Sequence, residues 1–545
     1  MAHPPSGVDG PFRFWSLFPS VRLLTTTAEL AEWRAAEPDR PLHFVPTMGA
    51  LHRGHASLLQ RAALPRVAGT SPRVLLSVFV NPLQFGPQED FARYPRDLQA
   101  DAALAAAAGA DALFAPAADT IYPGGEERLS RVLAPQDLAG PLCGGFRPGH
   151  FDGVATVVCR LLALVRPQRI LLGEKDWQQL QVLRRVVSDL GLSVRVEGCP
   201  TLREPDGLAC SSRLRYLSPS ERLEAGALSR ALAAAAALHQ AGERRAAPLE
   251  AAVHQALGAL AAGVEYIDLV HPLSLQPLAE AAPCSMLAVA VRCGGCRLID
   301  HLFLMSRSPI VAIDGPAGAG KSTVTRALAR RLGLVYLDTG AMYRALTWWV
   351  REQGADPADP EAVEPLLVDL DLRLLGGEGG EQQVLINGHD VTAAIRSPEI
   401  TGLVSTVAAH PCVREALTAQ QRAMGSRGGL VAEGRDIGTA VFPDADCKIF
   451  LTASVAERAR RRSLDLQERG FPVPPLAEIE ASIAERDQLD SSRAVAPLRQ
   501  AEDAVAVLTD GLTIEAVIDA LEALFRERVP EEAWPLPRGE AGAAS

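Results

Sequence analysis

At 545 residues the chain exceeds the ~250–300 at which one hydrophobic core stops growing, so two or more domains are expected. Its 48% hydrophobic and 22% charged residues are ordinary for a soluble globular protein. The net charge of −11 resides after Met305, where 25 basic residues face 36 acidic ones, against 29 and 29 up to that point; neither half suits general nucleic-acid binding. Only three of the basic residues are lysines, Lys175, Lys321 and Lys448, so each lysine in a glycine-rich or strand-end setting asks for a reason that arginine would not meet.

Met1 to Ser20 lacks an apolar core followed by a small-residue cleavage site, so no secretory signal is expected there. From Pro41 strand and helix patterns alternate, the sign of a parallel sheet with crossover helices. Leu42 to Pro46 predicts a strand, Thr47 to His55 a turn, and a helix continues through Arg61. His52 and His55 fall at that strand-to-helix turn, three residues apart, with Gly54 allowing close approach. Metal ligation, a structural role and a grip on a nucleotide triphosphate are the three readings of this pair. The strand Val74 to Val80 delivers Asn81-Pro-Leu-Gln84 at its carboxyl end, where open α/β sheets bind ligands. Arg147-Pro-Gly-His150 opens a further helix, and the strand Arg169 to Leu172 ends at Gly173-Glu-Lys-Asp176 with Gln178 and Gln179 behind it. After Gly191 come Cys210, Ser211, Ser212 and Arg213, small donors plus a guanidinium that suit a phosphate tail. Leu228 to Leu238 is apolar but too short and too flanked by charge to span a bilayer. Cys293-Gly-Gly-Cys296 reads as the turn of a hairpin rather than a zinc or redox pair, because no second cysteine pair completes a metal site.

Pro46-Thr-Met-Gly-Ala-Leu-His-x-Gly-His55, Asn81-Pro-x-Gln-Phe85, Arg147-Pro-Gly-His150, Gly173-Glu-Lys-Asp176 and Ser211-Ser-Arg213 together resemble the pantothenate synthetase (pantoate–β-alanine ligase) family over about 250 residues. The resemblance implies a pantoyl adenylate formed from ATP and pantoate, then opened by the β-alanine amine. It assigns ATP to Met48, Gly49, His52, His55, Gly173, Glu174, Lys175, Asp176 and Cys210 to Arg213 (Cys210, Ser211, Ser212, Arg213). It makes His55 the acid for the leaving group, with His52 and Lys175 beside it, gives pantoate and β-alanine to Gln84 and Gln179, and names Asp101 as a Mg²⁺ partner. Leu214 and Cys210 depart from the family pattern around the serines.

Met305 to Pro309 is a short hinge, and Ile310 to Thr323 then gives a strand, Gly315-x-x-x-x-Gly320-Lys321-Ser322, and a helix. This is a P-loop in its required context: backbone N–H groups and a helix N-terminus cradle phosphate, Lys321 reaches the β/γ-phosphates and Ser322 holds Mg²⁺. A second strand, Leu334 to Leu337, precedes Asp338-Thr-Gly-Ala-Met-Tyr-Arg344, and Gly434-Arg-Asp436 follows a strand ending at Glu433. Arg458, Arg460, Arg461 and Arg462 share one short helix, either a solvated face or a lid over the transferred phosphoryl group. Asp338 to Arg344, Glu433 to Gly438 and Arg493 to Leu498 resemble cytidylate kinase from Pro309 to about Glu527. By that resemblance Gly315, Gly318, Gly320, Lys321, Ser322, Thr323, Arg458 and Arg462 bind ATP. Thr339, Arg344, Ser405, Arg414, Arg435, Asp436, Asp490 and Arg493 bind CMP or dCMP, and Gln382 to Glu399 form an inserted acceptor-side subdomain.

The expected fold class is α/β: a Rossmann-like nucleotidyltransferase fold (about 20–190) with a smaller lid lobe (191–305), followed by a P-loop nucleoside monophosphate kinase fold (306–545). Mg²⁺ with ATP in both parts, no organic prosthetic group, small-molecule substrates, no nucleic acid or membrane partner, a homo-oligomer through the ligase part and a cytoplasmic location complete the expectation. A different nucleotidyltransferase joined to another small-substrate kinase, or a nucleotide sensor without turnover, are the rival readings.

Overall fold

The computed structural model describes residues 21–535 apart from 66–70, 87–88, 90, 126–127, 377–381, 469, 471 and 494; the reading of Met1 to Ser20 lies outside the described residues. The chain divides into two compact units, Met1–Leu304 and Met305–Ser545.

The first unit is built on a six-stranded parallel sheet of β1 (Arg22–Leu24), β2 (Leu42–Thr47), β3 (Arg73–Val78), β4 (Ala112–Phe114), β5 (Arg169–Gly173) and β6 (Arg195–Cys199), in the order β1-β4-β3-β2-β5-β6. The central strands are apolar along nearly their whole length because helices cover both faces; Phe44, Leu75 and Ile170 face one core and Val45, Leu76 and Leu171 the other. Strand order reverses between β2 and β5, which makes their carboxyl ends a topological switch point. Pro46 has no N–H to donate, and the ladder from β2 to β5 runs only through His43 and Phe44, so it stops before the carboxyl ends. Beyond β6, β7 (Val264–Val270), β8 (Cys284–Cys293) and β9 (Cys296–Met305) form a three-stranded sheet that packs with the helices Ala227–Gln240 and Ala246–Leu257 around a separate core. Gly294 and Gly295 make the turn between β8 and β9, as the hairpin reading requires, and no His/Cys/Asp/Glu group suited to a metal occurs among the described residues.

The second unit has a five-stranded parallel sheet of β10 (Ile310–Asp314), β11 (Val335–Asp338), β15 (Leu430–Gly434), β16 (Cys447–Thr452) and β17 (Val505–Leu508), in the order β11-β15-β10-β16-β17. β10 is central and every residue in it is buried. The smaller antiparallel sheet, β12 (Leu372–Gly376), β13 (Gln382–Ile386) and β14 (His389–Asp390), begins ten residues ahead of the expected Gln382. β12 is an edge strand of mixed exposure, with Leu372 buried and Arg373 and Leu375 exposed, and its alternating run is too short to be a firm signal. No helix among the described residues is long and apolar enough to cross a membrane.

Candidate active sites

In the first unit the helix Arg53–Ala62 starts from an unusual cap. His52 is the N-cap, and its Nδ1 accepts the Gly54 N–H at 3.1 Å, while His55 Nδ1 accepts the His52 N–H at 3.3 Å. Two backbone amides therefore fix both rings with the proton on Nε2, and the Nε2–H groups are left for a ligand. Gly54 is required by contact: a Cβ there would lie 2.9 Å from His52 Cε1. Burial, with Lys175 and Arg215 nearby, pushes the two imidazoles down, His52 to about 3 and His55 to about 4. They are neutral hydrogen-bond donors at physiological pH, and among the described residues no third ligand joins them to hold a metal.

The turn before them hangs on Asp101. This buried carboxylate accepts the N–H groups of Ala50 (3.0 Å) and Leu51 (2.7 Å), one on each oxygen. Both oxygens are thus turned to the backbone of the loop they hold, which gives Asp101 a structural task there, whereas the resemblance names it as a Mg²⁺ partner.

A cavity of about 810 Å³ opens at the same sheet edge and is lined by Gln84, Gln179, Lys175, Asp176, Ser211 and Arg213 among others. Lys175 is 3.4 Å from Asp176. Gln84 is set by its neighbours: its Nε2 donates to Met48 Sδ (3.0 Å), and its Oε1 accepts from Asn81 Nδ2, whose own Oδ1 accepts the Tyr122 hydroxyl at 2.7 Å. Gln178 is a structural neighbour of Gln179, bonded to the backbone of Cys143, Leu138 and Pro141. Cys210 is buried against Glu204 (Sγ to Oε1, 3.1 Å), its thiol pushed up to about 11 by burial and that carboxylate, so it serves packing in a neutral form. Leu214 lies in the 3₁₀ turn Ser212–Tyr216, from which Arg215 donates to the Leu51 carbonyl at 2.9 Å and steadies the histidine loop. Gly173 closes β5, Glu174 is buried, Gly49 and Met48 begin the turn, and Ser212 is buried with its hydroxyl 3.3 Å from that of Tyr94.

In the second unit β10 runs into the phosphate loop. A Cβ on Gly315 would lie 2.0 Å from the Leu451 carbonyl oxygen, so only glycine fits. Gly318 and Gly320 adopt positive φ (77° and 80°), and the helix Lys321–Leu332 starts at once, with Thr323 in its first turn. Lys321 Nζ donates to the carbonyls of Gly315 (2.8 Å) and Pro316 (2.7 Å); burial and nearby Arg435 bring it down to about 7. Ser322 Oγ donates to Glu433 Oε1 at 2.6 Å, and Tyr336 Oη donates to the same oxygen at 3.0 Å. The other Glu433 oxygen is buried with no hydrogen-bond partner, and burial raises this carboxyl group. An orphaned carboxylate oxygen beside the P-loop hydroxyl fits a divalent cation.

Residues from distant parts of the chain meet at the same sheet edge. Thr339 Oγ1 donates to the Glu433 carbonyl (2.7 Å), Arg344 pairs with Asp338, Arg414 with Asp436, and Asp490 with both Arg435 and Arg493. Burial opposes ionisation of Asp490, yet the two guanidiniums hold it below the usual carboxylate range. Ser405 is half-buried on the helix Pro398–Val407, one element before Arg414. Of the helix Val455–Glu468, Arg458 is buried, pairs with both oxygens of Asp487 and reaches the Ala317 carbonyl, while Arg461 reaches the Ala319 carbonyl at 3.2 Å. Arg462 is exposed and pairs with Asp465. The arginines on the phosphate loop are thus 458 and 461. Both i+3 and i+4 spacings from Arg458 share a helix face, so sequence alone does not choose between Arg461 and Arg462. Sequence reasoning named Asn81 and Glu433 within motifs without giving them a role, and it passed over Tyr122, whose hydroxyl meets Asn81 from 41 residues away.

The first unit is an ATP-using enzyme of the Rossmann-like nucleotidyltransferase class, and the second is a nucleoside monophosphate kinase fold. Family models agree: "Pantoate-beta-alanine ligase" matches residues 22–303 and "Cytidylate kinase" matches 311–527. The bifunctional pantoate ligase/cytidylate kinase of Parasynechococcus marenigrum is 60% identical over 517 residues, covering 95% of this chain and 100% of that protein. The protein of the same description from Prochlorococcus marinus is 61% identical over 505 residues, covering 92% and 99%. Pantothenate synthetase from Thermus thermophilus, a solved structure, is 49% identical with a TM-score of 0.48 and covers 52% of this chain and 99% of its own. The chain belongs to the bifunctional pantoate ligase/cytidylate kinase family, and it joins a pantoate–β-alanine ligase to a cytidylate kinase.

Proposed function

We propose that in the ligase unit the His52 and His55 Nε2–H groups grip the α-phosphate and the departing pyrophosphate of ATP, and that Lys175 supplies the compact charge. A pantoate carboxylate oxygen attacks the α-phosphorus, the bond to the β-phosphate oxygen breaks, and pyrophosphate leaves as the pantoyl adenylate forms. The β-alanine amine then attacks the acyl carbon and releases AMP, with its proton passing to solvent. Nothing in this sequence needs a protein nucleophile; it needs donors aimed where charge develops. The observation that carries the reading is the pair of amide-fixed imidazoles at the switch point, with Gln84 and Gln179 on the adjoining cavity wall for pantoate and β-alanine. Ser211, Ser212 and Arg213, with Gly173 to Asp176, suit the nucleotide; Asp101 serves as the loop's anchor rather than as a metal partner.

In the kinase unit Lys321 and the loop amides hold the ATP phosphates, and Ser322 with Glu433 would hold Mg²⁺, which supplies neutralisation of β- and γ-phosphate charge when bound. Arg344, Arg435 and Arg493 suit the acceptor phosphate and sugar. Arg414 orients Asp436, which accepts from the exocyclic amine of cytosine, with Ser405 beside it. Arg458 and Arg461 tie the lid helix to the phosphate loop, and Arg462 is free to swing onto the transferred group. A cytoplasmic location and assembly through the ligase unit accompany this reading.

The test is exchange of labelled pyrophosphate into ATP. Pantoate alone, without β-alanine, should support it, and CMP should not. Exchange that requires β-alanine would remove the adenylate from the mechanism.

A further inference from the structure

Gln84 is gripped from a second side by residues to which no role has been given so far. His150, first residue of the helix His150–Val165, directs Nδ1 at the Gln84 carbonyl oxygen at 2.8 Å. Its other ring nitrogen, Nε2, accepts from Arg147 Nη1 at 2.9 Å, so the proton resides on Nδ1 and is donated to Gln84. Arg147 also reaches the Gln84 carbonyl through Nη2 (3.3 Å) and is itself held by both oxygens of Glu89, at 2.7 and 2.6 Å. Fork-to-fork pairing of this kind fixes direction as well as distance. The helix start adds a backbone clamp: a Cβ on Gly153 would lie 2.3 Å from the Leu83 carbonyl oxygen and 2.8 Å from the Gln84 nitrogen, so only glycine lets the helix approach the peptide this closely. Asn81 Nδ2 closes the circle by donating to the Gly153 carbonyl as well as to the Gln84 side chain.

Gln84, Glu89, Arg147 and His150 all line the cavity of the ligase unit. The Arg147 charge is already matched by Glu89, and His150 presents its one N–H to a carbonyl oxygen rather than to the open space. Direct capture of an anionic substrate is therefore a poor use of either, whereas orientation of the Gln84 peptide is what their bonds accomplish. We propose that Glu89, Arg147 and His150 are positioning residues that set the direction of Gln84 for the hydroxy-acid substrate. The inference rests on the reading that Gln84 contacts pantoate.

The experiment is steady-state kinetics of the full chain with His150→Ala, His150→Asn, Glu89→Gln and, in parallel, Gln84→Ala. Loss of one aimed hydrogen bond is expected to raise the KM for pantoate by roughly 10–100-fold in His150→Ala, with the KM for ATP within about twofold of the parent. His150→Asn keeps an N–H near the position of Nδ1 and should recover most of the loss; Glu89→Gln keeps one bond of two and should fall between. A merely structural role would instead raise both KM values together, lower the thermal midpoint, and show no recovery in His150→Asn; that pattern overturns the proposal. If Gln84→Ala raises the pantoate KM while His150→Ala does not, the relay is refuted and the Gln84 reading stands. If Gln84→Ala leaves the pantoate KM unchanged, the reading beneath the relay is itself refuted.

Discussion

Asp101 offers the sharpest perturbation, because one atom separates two roles. Asp101→Asn preserves shape but replaces one carboxylate oxygen by an NH₂ group that must face a backbone N–H now 2.7 or 3.0 Å away. One charge-assisted hydrogen bond is lost, worth ~1.5–3 kcal/mol, and a buried amide is left without an acceptor at a further ~1–3 kcal/mol; since the two overlap, a net cost of about 2–4 kcal/mol is expected. The strain falls on a turn whose Ala50 is held at φ 53°, a left-handed conformation unusual for alanine, and which leads straight to His52. Denaturant unfolding should show the loss in the ligase transition only. Pantoate-dependent pyrophosphate exchange should drop at least tenfold and stay down as Mg²⁺ is raised, with CMP phosphorylation unaltered. Unchanged stability together with exchange restored by excess Mg²⁺ would refute the anchor and return the carboxylate to the metal.

Because Lys321 and Lys175 belong to separate units, Lys321→Ala should abolish CMP phosphorylation and spare pantothenate formation, and Lys175→Ala should do the reverse; product assays on the same two samples decide it, and one substitution silencing both activities in a folded chain would count against independent sites. Arg458→Ala removes a buried ion pair with Asp487 and should lower the kinase unfolding free energy by ~1–3 kcal/mol, whereas Arg462→Ala should leave unfolding alone and lower kcat by roughly 10–100-fold. Equal stability losses in the two would show that the exposed arginine is not a mobile lid residue. His55 lies at about 4 in the folded state against 6.5 when unfolded, so the unfolded chain binds more protons between those limits and ligase stability should fall as pH drops from 6.5 toward 4. This single group accounts for about 3 kcal/mol of that fall, and unfolding curves of His55→Gln should be flatter in the same window; identical slopes would mean the ring is not desolvated.

The elements that carry the sites were legible because their signals are local. Apolar runs such as Phe44-Val45 and Ile310 to Ile313 mark strands buried on both faces, and the turns after them must expose whatever polar residues they hold at the sheet edge. Spacing then placed His52 with His55 and Lys321 with Ser322. What sequence did not yield was contact across the chain. The amides that occupy Asp101 lie 50 and 51 residues before it, Glu89 meets Arg147 across 58 residues, and Tyr336 shares Glu433 with Ser322 across 97. Residue type suggested an acid near a phosphate in the first case, and only the fold tells that the acid was already engaged. The early start of β12 was missed although Leu370-Asp-Leu-Arg-Leu374 alternates, because so short a run, on an edge strand with one pairing partner, is a weak local signal.

On the reading proposed above, the two units hold one nucleotide by unlike devices. In the ligase the incoming nucleophile is itself a carboxylate anion. A protonated imidazole at the α-phosphate would attract that anion and draw electron density from the attacking oxygen, so donors that polarise phosphate while remaining neutral are the better solution. Burial produces that state in His52 and His55, helped by the nearby Lys175 and Arg215, and the backbone caps on Nδ1 fix the rings. In the kinase the acceptor is a phosphate monoester that approaches the γ-phosphate, and repulsion between the two is the obstacle. Positive charge is wanted there, and it is stored: Lys321 is parked on two carbonyl oxygens, while Arg435 and Arg493 are parked on Asp490. Each pairing keeps a cation near the reaction path and leaves it able to turn to phosphate once the substrates bring their own negative charge. A neutral donor suits a reaction limited by the nucleophile's reactivity, and a stored cation suits one limited by approach.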